Sequence, residues 1–154
     1  MAKKITKNLE VFGARIGFRN FSGDESLYNP KGNRTFAVFF DEETAKRLEN
    51  DGWNIKWPKP NDNIDPEEDE RQPWLEVTVS YKNMPPTVLL ITGENVNTLN
   101  EDTVSVLDNT EVENVDLVLN PYNWTTAQGS GVKAYLKKLA VSAKMDGFAE
   151  KYGY

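Results

Sequence analysis

Apolar residues recur at every second position in run after run of this chain, a period that fits the pleat of a half-buried strand and not the turn of a helix. In VFGARIGFRNF the alternation sets Phe12, Ala14, Ile16 and Phe18 on one side and Gly13, Arg15, Gly17 and Arg19 on the other. This predicts a strand with a buried apolar face and a basic, flat, open one. TFAVFF is apolar on both sides and reads as a central strand, and WNIKWPKP as a strand fragment with Trp53, Ile55 and Trp57 on one side and Lys56 on the other. WLEVTVSY alternates through Leu75, Val77, Val79 and Tyr81, and NMPP turns it toward TVLLIT as a hairpin or meander. VENVDLVLNPYNW points Val115, Leu117 and Leu119 inward before a TTAQGSG loop.

The last apolar segment, GVKAYLKKLAVSA, admits two readings. Val132, Ala134 and Leu136 are in phase, as are Leu139, Val141 and Ala143 after a slip at Lys137 and Lys138, while the spacing 132, 136, 139, 143 also suits a helix. Val132, Tyr135 and Val141 favour a strand, and a one-residue slip predicts a β-bulge where that strand curls. One helix is expected, over DEETAKRLENDG: Asp41 caps it, acids fill its first turn, Ala45 and Leu48 face the core, and Gly52 stops it. SGDESLYNPKGN and the acidic stretch 58–73 read as loops, and the polar residues 93–110 as irregular chain with a helical turn near Thr103–Leu107. The sum is a mainly β domain, barrel or sandwich, with six to eight short strands, one short helix (roughly 41–51), long loops and no repeats. At 154 residues it is one domain, with a flexible basic N-terminal arm (1–8) and a short C-terminal tail (146–154).

Chemistry is narrowed by what is missing. With no Cys and no His there is no thiolate nucleophile, imidazole base, Cys/His zinc site or disulfide, so an enzyme here would have to work with carboxylates, Lys, Tyr or an oxygen-ligated metal. No apolar run approaches a membrane span and no secretory h-region follows Lys3 and Lys4, so a cytoplasmic protein without membrane contact is expected. The net charge of −6 hides a segregation: residues 1–40 carry seven bases against three acids, and 117–145 four lysines and no acid. The deficit sits between them, and DNIDPEEDE (62–70) alone carries six acids. That run lacks EF-hand order and is interrupted by Pro66, so it reads as a solvated loop that could attract a basic partner or fold over the protein's own basic groove.

Two rows combine cations with aromatics: Arg15 and Arg19 with Phe21 beyond, and Lys133, Tyr135 and Lys137. Residues i and i+4 of a strand stand about 13 Å apart, near two nucleotide spacings of an extended backbone. Cations that track phosphates and rings that stack bases are what sequence-tolerant single-stranded nucleic-acid binding needs. The candidate phosphate contacts are therefore Arg15, Arg19, Arg34, Lys56, Lys133 and Lys137, and the candidate stacking residues Phe21, Tyr28, Trp53, Tyr122, Trp124 and Tyr135. Read singly, each is more often a core or solvated-face residue than a ligand contact; it is the two rows together that raise the nucleic-acid reading.

The segments GVKAYLKKLAV, FRNFSGDESLYNPKGNRTFAVFFDEETAKRLENDGWNIKW and VDLVLNPYNW resemble tailed-bacteriophage single-stranded DNA-binding proteins of the OB-fold type, over most of residues 8–145. The resemblance implies an OB-fold-like Greek-key barrel that coats and protects single-stranded DNA during phage replication, recombination and repair, a non-enzyme without cofactor or metal. It places the basic and aromatic residues of the open face at Arg15, Arg19, Lys133, Tyr135 and Lys137, then at Trp53, Lys56, Tyr122 and Trp124. Implied partners are single-stranded DNA and phage or host replication and recombination proteins, met through the acidic loop or the tail; a homo-oligomer is left open. The end MDGFAEKYGY has only two acids, unlike the acidic tails common in such proteins. The rivals are a non-catalytic β-sandwich, carbohydrate-binding or virion-structural, and a carboxylate- or metal-dependent nuclease.

Overall fold

The computed structural model describes residues 5–24, 32–65, 67–82 and 85–144. Among these residues nine strands form one sheet: β1 Leu9–Val11, β2 Arg15–Asn20, β3 Arg34–Phe39, β4 Ile55–Lys56, β5 Trp74–Val79, β6 Thr87–Thr92, β7 Asn95–Leu99, β8 Val112–Thr126 and β9 Gly129–Ala143. The helix α1 (Glu42–Asp51) follows β3, and a 3-10 helix, Val104–Asp108, precedes β8. The main ladder runs β1-β8-β9-β5-β3-β2, with β4 on β5 and a β6–β7 hairpin attached to β9. Among the described residues no ladder joins β1 to β2, so the sheet is not closed. Yet its two ends are consecutive in the chain, separated only by Phe12, Gly13 and Ala14. Gly13 bends there with φ +64°, and the Ala14 N–H donates to the Val115 carbonyl at 2.7 Å. One kinked N-terminal segment thus contributes to both edges and curls the sheet into an open, OB-fold-like barrel.

The expected helix is present with the expected cap. Asp41 Oδ1 accepts the Thr44 N–H at 2.7 Å, and Gly52, at φ 118°, turns its N–H back onto the Leu48 and Glu49 carbonyls. The alternations of β5, β8 and β9 bury Leu75, Val77, Val79, Val115, Leu117, Leu119, Val132, Ala134, Leu136, Leu139 and Val141 as one core. The predicted bulge is also there: Val118 pairs with Lys138 but Leu119 pairs with Leu136, leaving Lys137 as the extra residue. At that bend β9 leaves its parallel partner β5 (Thr78 opposite Tyr135) for β6 (Thr87 opposite Lys138). A bulge sharpens twist, which lets one strand serve two neighbours in succession.

Several expectations are corrected. β5 and β6 form no hairpin; β6 pairs with β7, a polar strand over residues expected to be irregular, and with β9. The TTAQGSG loop is mostly strand, because β8 and β9 pair up to Thr126 opposite Gly129. The first strand does not run unbroken from 12 to 21. Besides the kink at Gly13, β2 carries two residues, Phe18 and Arg19, between Gly17 and Asn20 against one on β3, Phe36. Phe18 lies in this bulge at φ +47° with its ring 71% exposed, where strict alternation had placed it inward. The basic arm is not free throughout, since the Asn123 side chain binds both the N–H of Ile5 (2.9 Å) and its carbonyl (2.8 Å). Residues 1–4 and the tail 146–154 lie outside the described residues. Among the described residues no helix is long and apolar enough to cross a membrane.

Candidate nucleic-acid interface

Residues opposite one another in a ladder share a face, so the registers define what the outer surface carries. Arg15 pairs with Phe39 and Phe39 with Trp74; Trp74 pairs with Lys56. Along β5, Trp74, Glu76 and Thr78 alternate with buried Leu75, Val77 and Val79, so they point outward. Thr78 pairs with Tyr135, and Tyr135 with Asn120; Lys133 pairs with Tyr122, and Gly131 with Trp124. One outer face therefore runs across β2, β3, β5, β9 and β8, with a basic-aromatic end at each side.

At the β8–β9 end, Tyr122 is 55% exposed and meets Tyr135 edge-on at 5.9 Å, while Lys133 Nζ lies 5.3 Å from the Tyr135 ring centre. The bulge exposes Lys137 and Lys138 in succession, so the row gains a cation that strict alternation would have hidden. Where β9 crosses from β5 to β6 a cleft of about 510 Å³ opens, lined among others by Tyr122, Tyr135, Lys137 and Lys138. Trp124 lies flat over Gly131: a Cβ there would stand 2.7 Å from the indole, so the glycine is what permits this packing.

At the β2–β3–β5 end, Phe18, Phe39 and Trp74 form a cluster with ring centres 5.6 to 6.5 Å apart. The Arg15 guanidinium lies 5.9 Å from the Phe39 ring centre. Gly17 repeats the device of Gly131, since a Cβ would meet the Phe39 ring at 2.6 Å. Between the two ends, Lys56 Nζ and Glu76 Oε2 pair at 2.7 Å, which offsets the acid at the centre of the face.

Arg15, Lys56, Lys133, Lys137, Tyr122, Trp124 and Tyr135 thus come together on one face; four other candidates do not. Phe21 is 0% exposed and stacked on Phe36 at 5.1 Å, and Trp53 is 4% exposed in the same core, so neither ring is open to a base. Arg19 is turned inward by the Phe18 bulge and donates to the carbonyls of Leu107 (2.7 Å) and Thr110 (2.8 Å), holding the 3-10 helix. Arg34 is half-buried: its Nε donates to the Phe21 carbonyl, its Nη1 pairs with Glu101 at 3.5 Å, and it stands over Tyr81. Tyr28 lies outside the described residues. Phe18, Phe39, Trp74 and Lys138 are the residues that sequence reasoning missed. Phe39 and Trp74 carry a readable signal, being aromatics on the phase opposite the core residues of their strands.

The acidic segment stands beside the β2–β3–β5 end. Arg15 Nη1 donates to Gln72 Oε1 at 3.2 Å, and Arg71 grips Asp69 through both Nε (2.9 Å) and Nη2 (2.8 Å). Those bonds hold the Asp69 carboxyl down at about 2, so it stays ionised at neutral pH. Among the described residues no three acids are placed to share a metal ion.

A family model described as "Putative phage ssDNA-binding domain" matches residues 1–154. Among solved structures, the single-stranded DNA-binding protein from bacteriophage Enc34 in complex with ssDNA superposes with a TM-score of 0.57 at 13% identity, covering 96% of each chain. A C-terminal truncation of the Enc34 protein gives 0.54 at 13% identity over 94% of each chain. At that identity the likeness is one of fold. A search of curated protein sequences finds no match. The fold of the Enc34 protein and a family match spanning every residue agree, and the chain belongs to the phage ssDNA-binding domain family.

Proposed function

We propose that this protein is a sequence-independent single-stranded DNA-binding protein that coats and protects transient single strands in phage replication, recombination and repair, with no catalytic step. The observation that carries the reading is the outer face itself, where five strands bring cations and aromatic rings together at both ends in a chain whose net charge is −6. Arg15, Lys133, Lys137 and Lys138 pair with phosphates; Tyr122, Trp124 and Tyr135 stack bases, joined by Phe18 and Trp74 at the far end. Electrostatic capture brings the strand in, and stacking holds it without regard to sequence, since every base has a π-face. Replication and recombination proteins of phage or host are the further partners, met through the acidic segment 62–70. The β-sandwich alternative, carbohydrate-binding or structural, predicts no salt-sensitive DNA affinity.

The test is a double substitution, Lys133→Ala with Lys137→Ala. Both side chains are exposed, so the fold is retained while affinity for oligo-dT falls. The slope of log affinity against log salt becomes shallower by about 0.7 for each phosphate that is no longer neutralised. A slope equal to that of the unaltered protein contradicts the phosphate role of these lysines.

A further inference from the structure

The face ends, on its β2–β3–β5 side, in a cleft of about 580 Å³ that the lysine row on β9 does not line. One wall is apolar and aromatic: Phe18, Phe39 and Trp74, with Arg15 at the edge. The other is the acidic segment, which contributes Glu68, Asp69 and Glu70. Asp69 is taken up by Arg71, which also donates to the Lys59 carbonyl at 2.9 Å and so pins this wall in place. Glu68 and Glu70 are exposed and make no ion pair among the described residues. Phe18 projects its ring there from a left-handed backbone conformation that a bulky residue rarely adopts, and burial gives no reason for it.

We propose that this cleft is a single-nucleobase subsite that favours bases carrying an exocyclic amino group over thymine. The inference rests on the single-strand-binding reading above and adds to it a bias in base composition. The aromatic wall suits a flat ring, and the cleft lies in the size range of small-molecule sites. Arg71 is taken up by Asp69 and, although Lys59 also lines the cleft, the unpaired carboxylates Glu68 and Glu70 disfavour a phosphate beside them; the backbone then passes on the Arg15 side and the base points toward the acids. An ionised carboxylate only accepts hydrogen bonds. Cytosine offers it the N4 amino group, and adenine and guanine offer N6 and N2. Thymine offers carbonyl oxygens on either side of its one N–H, which the same carboxylates repel.

The experiment compares oligo-dC with oligo-dT of equal length at neutral pH, using the full chain and its Glu68→Gln, Glu70→Gln variant. The unaltered protein is expected to bind oligo-dC about three- to tenfold more tightly, the range of one net hydrogen bond, since solvent at this partly exposed site screens the carboxylate's charge. The variant is expected to bind both oligomers more tightly, because repulsion of the backbone is relieved. Its preference shrinks toward one, because a Gln amide also donates to thymine. A Phe18→Ala variant, altered at an exposed ring, should lose the preference by the other wall. Equal affinities in the unaltered protein, or a preference unchanged in the Glu variant, overturn the inference and leave single-strand binding standing. Failure to bind either oligomer overturns both.

Discussion

Replacing Tyr135 by Ala is expected to weaken oligo-dT binding by roughly 5- to 150-fold, the equivalent of about 1–3 kcal/mol for one stacked base, while the salt slope stays unchanged. The size of the effect follows from where the ring stands. Tyr135 is central in the β8–β9 patch, edge-on to Tyr122 and beneath Lys133, and it pairs with Thr78 where β9 meets β5. Removing it takes away a stacking surface but no charge. Titrations at several salt concentrations separate the two contributions: removing a stacking ring lowers affinity at every salt, whereas removing a cation that pairs with a phosphate flattens the slope. A flatter slope in Tyr135→Ala means the ring acts through Lys133 and is no stacking platform.

Phe21→Ala is expected to cost about 3–5 kcal/mol of stability, as large-to-small changes at buried aromatic positions do. Such a loss lowers the midpoint in chemical denaturation well below that of any face variant. Phe21 is fully enclosed against Phe36, and the chain around it is bound tightly: Asp108 Oδ1 accepts the Phe21 N–H at 2.6 Å, and Asp108 Oδ2 the Ser22 N–H at 3.0 Å. Below the melting transition the folded fraction should bind oligo-dT with unaltered affinity, since no base reaches this ring. A variant that keeps its stability and loses DNA binding places Phe21 on the surface and contradicts the core described here.

Much of the strand pattern was legible because the core is fed by strict alternation. The β9 bulge could be read because its slip falls within an apolar phase, so that Leu136 and Leu139 can be inward together only if an extra residue intervenes. The β2 bulge could not. Phe12, Ala14, Ile16 and Phe18 continue the alternation through it, and only the backbone turn at Phe18 reveals that Gly17 and Phe18 both face out. A shift of one residue exchanges the two faces of a strand, so that bulge alone moved Arg19 from the open face to the 3-10 helix and brought Phe18 out in its place. β7 was invisible for a different reason. As half of a hairpin that, among the described residues, pairs with β6 alone, it exposes nearly all its residues and buries only Leu99, which leaves no apolar period to detect. The parallel pairing of β6 with β9 joins residues some fifty positions apart in the chain, and local patterning carries no information about such partners.

The candidate site divides along the same line. The β9 row was readable because lysines and a tyrosine alternate with core residues on a regular strand. The Phe18–Phe39–Trp74 cluster assembles from three strands, and only the registers bring it together. Trp53 was misassigned because an aromatic beside a proline-rich loop looks exposed; it follows the C-terminal glycine of α1 and enters the core with Ile55.

The central claim, that one outer face binds single strands by charge and stacking, is tested most directly by following intrinsic fluorescence during titration with oligo-dT and with a duplex of equal length, each at low and high salt. Of the four tryptophans, Trp124 and Trp74 lie on the face while Trp53 is buried. Quenching by oligo-dT that exceeds quenching by the duplex, and that weakens as salt rises, is the result the account predicts. No response to either nucleic acid, or a response indifferent to salt, would contradict it and leave the basic and aromatic rows as an ordinary solvated surface.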